Sequence, residues 1–338
     1  MLTIRDIAEK AGVSKSTVSL ALRGNSNCSA KTKQRITEIA KELGYKPNPL
    51  VTANMTHMRG GVRRKNLLSN LAYFYDFNRG LPHSRPSYSA ASERADELGF
   101  ALEAFPYNDP KLKPDRLYRI LRSRNVQGIV IGESPTVIPH IEFKWNDFAV
   151  VSIGYTLKDP RVDRIGFDHG ENLVRLFHDL EERKYRRVGL ALRSDFDDRV
   201  THLPTSSYLG HQFDQALSES LPIYMEEKNW NKTSFFKWFS KNKPDCIITI
   251  GNEVGHWLRS KNLRIPEDIG VFSIWGGLIE QTVKYSHYNV SLEMLARAAI
   301  DVISDRLNSN TRGIPVLRRS ILISSELVDL NSVRPIAG

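Results

Sequence analysis

Two cysteines among 338 residues are too few for a disulfide framework, and Cys28 and Cys246 fall in segments that read as different modules. Cys28 sits where a small apolar residue would cover a helix, so core packing is its expected role. No apolar run approaches the roughly 18 residues of a membrane span. Met1-Leu2-Thr3 leads straight into a helical pattern with no signal-peptide core, so a cytoplasmic protein with no membrane partner is expected. Also missing are Gly-x-x-x-x-Gly-Lys, Gly-x-Ser-x-Gly, His-Glu-x-x-His and Cys-x-x-Cys, the signatures of phosphate loops, nucleophile elbows, zinc sites and redox pairs. The nine histidines are scattered without ligand spacing. Asp195-Phe196-Asp197-Asp198 is the one dense carboxylate cluster, and it reads as a solvated Ser/Asp loop rather than a metal site. No enzyme, cofactor or metal is expected on these grounds.

Acidic residues are scarce in one place. Met1 to Lys65 holds 13 Lys/Arg against 4 Asp/Glu, a net charge of +9, whereas the remaining 273 residues hold 35 against 34. A small cationic module is therefore joined to a nearly neutral body. Cation clusters neutralise phosphates and release counterions, which makes nucleic acid the first partner to consider. The module is too regular for a solvated tail. Thr3 can cap a first helix, with Leu2 and Ile7 at the staple positions, and Ile4, Ile7, Ala8 and Ala11 share one face. Gly12 stops that helix. Ser14 caps a second helix, with Val13 and Val18 as its staple. Val18, Ala21 and Leu22 turn inward and leave Lys15, Ser16, Ser19, Leu20 and Arg23 outside. A third helix after Ser29 carries Ile36, Ile39, Ala40 and Leu43 and ends at Gly44. Two helices joined by Ala-Gly-Val cross steeply, so the second can project into a major groove: a helix-turn-helix.

The run Thr3-Ile4-Arg5-Asp6-Ile7-Ala8, Gly12-Val13-Ser14-Lys15-Ser16-Thr17-Val18-Ser19, Ser29-Ala30-Lys31-Thr32 and Leu43-Gly44-Tyr45-Lys46-Pro47-Asn48 closely resembles the DNA-binding headpiece of the LacI/GalR repressor family. The resemblance implies that Lys15, Ser16 and Leu20 read bases in the major groove. It implies that Thr3, Ser14, Thr17, Ser29, Thr32 and Asn48 hold phosphates, with Ser19, Arg23, Asn27 and Tyr45 completing the DNA-contacting set. Many members carry Arg where this chain has Leu20. A leucine offers apolar contact instead of a bidentate grip on guanine, so the half-site should differ from that of the lactose repressor.

Asn48-Pro49 reads as a helix start, but Leu50 to Met58 runs for only about two and a half turns before Gly60-Gly61, which is marginal alone in water. In the family, two such hinges fold together in the minor groove, and a leucine wedges between base pairs. Here the hinge set is Ala53, Asn54 and Met55. Asn54 occupies the wedge position, and Met55 is the better intercalator.

Beyond the linker, short apolar runs alternate with helical patterns. Strands are expected at 71–77, 100–105, 126–131, 148–153, 188–192, 245–250, 270–274 and 321–327. Helices are expected at 88–98, 114–124, 171–183, 206–218, 255–260 and 292–307. This βαβα order implies parallel sheets flanked by helices. Ile165-Gly166-Phe167-Asp168, Tyr185-Arg186-Arg187-Val188-Gly189, Gly210 with Phe213, Gly251-Asn252-Glu253 and Ile265-Pro266-Glu267-Asp268-Ile269-Gly270-Val271 resemble the periplasmic-binding-protein-like core of the same family. The fold class implied is an all-α helix-turn-helix headpiece followed by a two-lobed α/β core with parallel sheets. The expected division is a DNA-binding domain at 1–47, a hinge and linker at 48–66, and an effector-binding and dimerisation core at 67–338. Lobe one is expected at about 67–185 and 288–312, and lobe two at about 186–287 and 313–335.

The effector set that the resemblance implies is Phe77, Asp168, Ser207, Asn252 and Trp275, with a local helix cap as the other reading of Asp168. Sugar-binding members place an Arg where this chain has Ser207 and an Asp where it has Trp275. Trp275 could stack on a ring or plug the cleft. The expectation is a dimeric regulator, a repressor on a pseudo-palindromic double-stranded DNA operator, modulated by a small molecule such as a sugar. Its rivals are a constitutive DNA-binding regulator whose cleft has lost its ligand, and a solute-binding or enzymatic body with an incidental basic arm.

Overall fold

The computed structural model describes residues 4–14, 17–18, 21, 30–42, 70–214, 221–226, 228–276, 284–289 and 291–335. In the cationic module, helix α1 (Ile4–Ala11) and helix α2 (Ala30–Glu42) flank helical residues at 17–18 and 21. Ile7, Val18 and Ile36 are fully buried against Ala8, Ala11, Ala21 and Ala40, with Val13 and Ile39 at the rim. Gly12 has φ +61°, the left-handed conformation that ends a helix, and the Val13 N–H reaches back to the Ala8 carbonyl at 3.0 Å. Arg35 Nη2 donates to the Ala11 carbonyl at 2.9 Å, placing a cation at the negative end of α1. Cys28 lies outside the described residues.

The body contains two six-stranded sheets built to one plan. Lobe one holds β1 (Asn70–Tyr75), β2 (Ala101–Pro106), β3 (Val126–Ile131), β4 (Ala149–Ile153), β5 (Asp163–Phe167) and β11 (Ser320–Ile323) in the order β11-β5-β4-β3-β1-β2. Every neighbouring pair there is parallel. Lobe two holds β6 (Val188–Arg193), β7 (Tyr224–Glu226), β8 (Cys246–Thr249), β9 (Gly270–Ser273), β10 (Ser286–Asn289) and β12 (Glu326–Val328) in the order β12-β10-β9-β8-β6-β7. It is parallel except for the last pair, β10 with β12.

Central strands such as β4 are buried along their whole length because helices cover both faces. Alternation assigns the faces. Leu71 and Tyr73 point to α3 (Arg85–Glu97) and α10 (Leu292–Asn308), while Ala72 and Phe74 point to α4 (Pro114–Ser123). In lobe two, Leu190, Ile248 and Phe272 pack on α5 (His169–Glu182) and on Tyr208 of α7 (Leu203–Asp214). Ala191, Ile247 and Val271 pack on α8 (Lys232–Asn242) and α9 (Glu253–Arg259). Gly128 is required by α10: a Cβ there would stand 2.6 Å from Ile303 Cγ2.

Several sequence expectations are corrected. The single closing strand at 321–327 is two strands in different sheets, β11 and β12, split at Ser324-Ser325. Helix α5 packs into the lobe-two core, so the first crossing between lobes falls near Asp168 rather than 185. The last falls at 324–325 rather than 313. Strands β5, β7 and β10 and helix α8 were not expected. The acidic run is no solvated loop: it forms helix α6 (Ser194–Arg199) with Asp197 buried, accepting from His202 Nδ1 at 2.8 Å.

An ion triad pins the last strand of each lobe. Asp163 accepts from Arg306 Nη1 (2.9 Å) and from Arg319 N, Nε and Nη2 (2.8, 3.0 and 2.7 Å), just before β11. Burial resists the charge on Asp163, but the hydrogen bonds from Arg319 and Arg306 outweigh it and hold the carboxyl below its ordinary range. In lobe two the centre is Arg183, which donates to Asp179 Oδ2 (2.9 Å) and to Asp329 Oδ2 (3.0 Å), just after β12.

Candidate nucleic-acid interface and interlobe cleft

The turn after α1 sets the geometry of the cationic module. Ser14 Oγ accepts the Thr17 N–H at 3.1 Å and shares a 2.8 Å hydrogen bond with Thr17 Oγ1, while the Ser14 carbonyl accepts from Val18 N at 3.1 Å. Ser14 is thus the cap expected of it, and the positive dipole end of a capped helix start favours phosphate. Ser14 is exposed, and Thr17 and Thr32 are half-buried. The other expected contacts, Thr3, Lys15, Ser16, Ser19, Leu20, Arg23, Asn27, Ser29, Tyr45 and Asn48, lie outside the described residues, as do Ala53, Asn54 and Met55.

Between the lobes lies a cavity of about 130 Å³. Its lobe-one wall comes from the carboxyl ends of three strands: Glu133 to Pro135 after β3, Ile153 to Thr156 after β4, and Phe167 on β5, with Leu292 and Leu295 of α10 beside them. Phe196, Arg199 and Val200 after β6 and Trp275 after β9 form the lobe-two wall, and His169 sits where the chain first crosses. Carboxyl ends of strands in doubly wound sheets are where such folds take ligands, because loops and helix starts converge there.

The lining is aromatic and aliphatic, with few polar groups. Glu133 has both oxygens engaged, one by Tyr73 Oη at 2.9 Å and the other by Ser87 Oγ. Burial pushes His169 down to about 4, against a weaker opposing effect of Asp168, so its ring is neutral near pH 7. Arg199 Nη1 donates to the Pro135 carbonyl at 2.6 Å, and its guanidinium carbon stands 5.3 Å from the centre of the Phe196 ring. Arg199 Nε is buried with no hydrogen-bond partner. Trp275 lies nearly parallel to Phe196, with ring centres 6.5 Å apart, and touches the cores of both lobes.

Of the five expected effector residues, Trp275 lines the cavity and four stand outside it. Phe77 is exposed on the loop after β1. Asp168 caps α5 by accepting the Glu171 N–H at 3.0 Å, the local role weighed for it. Asn252 Oδ1 accepts the Lys284 N–H at 2.9 Å, and Ser207 is half-buried within α7. The sequence reading missed Arg199 and His169, whose only signal was their place directly after a strand or within a short helix at a strand end. Among the described residues no group of three or more His, Cys, Asp or Glu side chains could hold a metal, and no helix is long and apolar enough to cross a membrane.

Comparison with known proteins agrees with both halves of this architecture. The model of the bacterial regulatory proteins of the lacI family matches residues 3–48. Catabolite control protein A of Staphylococcus aureus is 24% identical over 292 residues, covering 80% of this chain and 82% of that protein. The solved structure of the transcriptional regulator CelR in complex with cellobiose has a TM-score of 0.55 at 17% identity, covering 98% of this chain and 100% of that one. The lac repressor dimer bound to operator and the anti-inducer ONPF has a TM-score of 0.53 at 17% identity, covering 99% of each chain. Residues 3–48 thus match the model of the lacI family of bacterial regulatory proteins, and the body has the two-lobed fold seen in solved LacI-type regulators.

Proposed function

We propose that this protein is a dimeric, sequence-specific transcriptional repressor whose hold on a pseudo-palindromic operator is set by a small molecule bound between the lobes. The observation that carries the reading is the Ser14-capped helix after the left-handed Gly12 turn, within a segment of net charge +9, joined to a body with an interlobe cavity. One headpiece reads too few bases for specificity, so two held by paired bodies would read two half-sites. Lys15, Ser16 and Leu20 are assigned to bases, and Thr3, Ser14, Thr17, Ser29, Thr32 and Asn48 to phosphates. A role on chromosomal DNA places the protein in the cytoplasm, and the reading gives it no catalytic step.

Two structures with this fold support the partners proposed: the lac repressor dimer is bound to operator, and CelR is in complex with cellobiose. A sugar or related molecule is accordingly the first effector class. Trp275 borders open space rather than filling it, which favours a ligand-responsive cleft over a plugged one. Ligand can shift DNA affinity only by as much as it prefers one arrangement of the lobes.

Selection from random duplexes tests the reading. The expected result is an enriched two-fold site whose affinity falls steeply with salt. No enrichment, or a flat salt response, overturns it. Within the hinge, Met55→Ala should weaken operator binding by at least about tenfold if Met55 is the intercalating wedge. An effect below about threefold returns that role to Asn54 or leaves the kink without a wedge.

A further inference from the structure

The cleft of this chain is poorly suited to a polyol. Each sugar hydroxyl taken from water needs a hydrogen-bond partner, and an unmet one costs about 1–3 kcal/mol. The walls offer Phe167, Phe196, Trp275, Leu292 and Leu295 instead. Glu133 is engaged by Tyr73 and Ser87, the Tyr155 hydroxyl donates to the Phe167 carbonyl, and His169 stands neutral among Tyr155 and Phe167. An apolar cavity of about 150 Å³ is large enough to take up benzene, so the space here is on the scale of one flat ring.

Against that apolar surface stands one cation. Among the described residues Arg199 is the only Lys or Arg on the wall, and it makes no ion pair there. The described carboxylates of the neighbouring segments have other partners. Asp195 pairs with Arg193 at 2.9 Å, Asp197 is buried against His202, Asp198 lies 3.6 Å from His202 Nε2, and Asp168 caps α5. The guanidinium is left with one carbonyl, one ring face and a buried Nε that has no acceptor. A desolvated arginine fork with donors to spare is matched by a carboxylate, which it can take through two parallel hydrogen bonds.

We infer that the ligand of this cleft is a small aromatic carboxylate, its ring lying against Trp275 and Phe196 and its carboxylate held by Arg199. The inference rests on the reading that the cleft takes a small molecule, and it replaces the sugar suggested by likeness of fold with a class that fits this lining. Glu133, the remaining carboxylate on the wall, disfavours an anion placed near β3, so the acid group is directed to the Arg199 end.

The test uses the full chain, with melting temperature and tryptophan fluorescence as readouts. The probes are benzoate, 4-hydroxybenzoate, phenylacetate, their neutral amides, and cellobiose, glucose and xylose. At least one carboxylate should raise the melting temperature by a few degrees and quench fluorescence saturably, and its amide should bind at least about tenfold more weakly. Arg199→Gln should remove that preference, and Arg199→Lys should keep part of it. The carboxylate–amide comparison on the unaltered protein decides the matter even if both variants fail to fold. Equal binding of acid and amide overturns the carboxylate while leaving the cleft reading in place, as does saturable binding of a sugar with none of the acids. Silence from every probe overturns the inference and removes the support that the cleft reading draws from this cavity.

Discussion

Lobe one closes its sheet with a buried acid between two arginines, and lobe two with a buried arginine between two acids. The strand plan is shared, and the charge pattern of the clasp is inverted. What separates the clasps is solvent. In lobe one, Asp163 and Arg306 are 1% and 3% exposed, so both charges of that pair have left water. In lobe two only the central Arg183 has, at 6%, while Asp179 and Asp329 keep 19% and 37%. The sign of the central charge therefore matters less than whether its partner would be stranded without it.

Asp163→Ala should have the largest effect, about 3–5 kcal/mol from urea unfolding, because it leaves Arg306 buried and unpaired. A loss below about 1 kcal/mol would break the contrast at its root. His169, at the seam between lobes, tests burial without a partner. Its pKa is about 4 folded against 6.5 when free, so the unfolded chain takes up the proton first. Stability should be intact above about pH 6.5 and decline as pH falls toward 4, by about 3 kcal/mol in all. His169→Gln should flatten that decline, and an unchanged slope would assign the acid sensitivity elsewhere. Arg183→Ala should cost less than Asp163→Ala, about 2 kcal/mol, since both freed acids can reach water. If the two variants prove equal, solvent is not the distinguishing factor. Asp168→Ala removes one helix cap and should cost about 1 kcal/mol. Unchanged operator binding in that variant would keep Asp168 in its local role.

Among the described residues of the headpiece, the Ser14 cap, the Gly12 stop and the inward face of Ile7, Val18 and Ile36 were legible, since these are local features. The strong central strands were legible too. β11 and β12 were not, because one apolar run, Ile321 to Leu327, spans both, and strand pattern carries no information about which sheet a strand joins. Helix α8 was hidden by its composition. Phe235, Trp238 and Phe239 fall at helical spacing, but aromatic residues have weak helix propensity, and their burial against β8 and β9 supplies what propensity does not. In the cleft, Trp275 drew attention as a departure from the family pattern. Arg199 escaped notice because an arginine on a short acidic helix reads as surface until the opposite lobe is seen to cover it.

Among the described residues the chain passes between lobes near Asp168, between β10 and α10, and at 324–325, and the first and last of these crossings are stitched together. The Asp168 N–H donates to the Ile323 carbonyl at 3.1 Å, Asn172 Nδ2 donates to Ser325 Oγ at 3.1 Å, and Arg175 Nη1 to the Ser325 carbonyl at 3.3 Å. Pulling these two tethers apart would break three hydrogen bonds at once. In mechanical terms they act as one stiff pin, and among the described residues the passage from β10 to α10 is the remaining strap. A pin and a strap remove most of the independent ways in which two bodies can tilt and slide. Whatever enters the cleft would then express itself mainly as one angle, and one angle is enough to set a spacing.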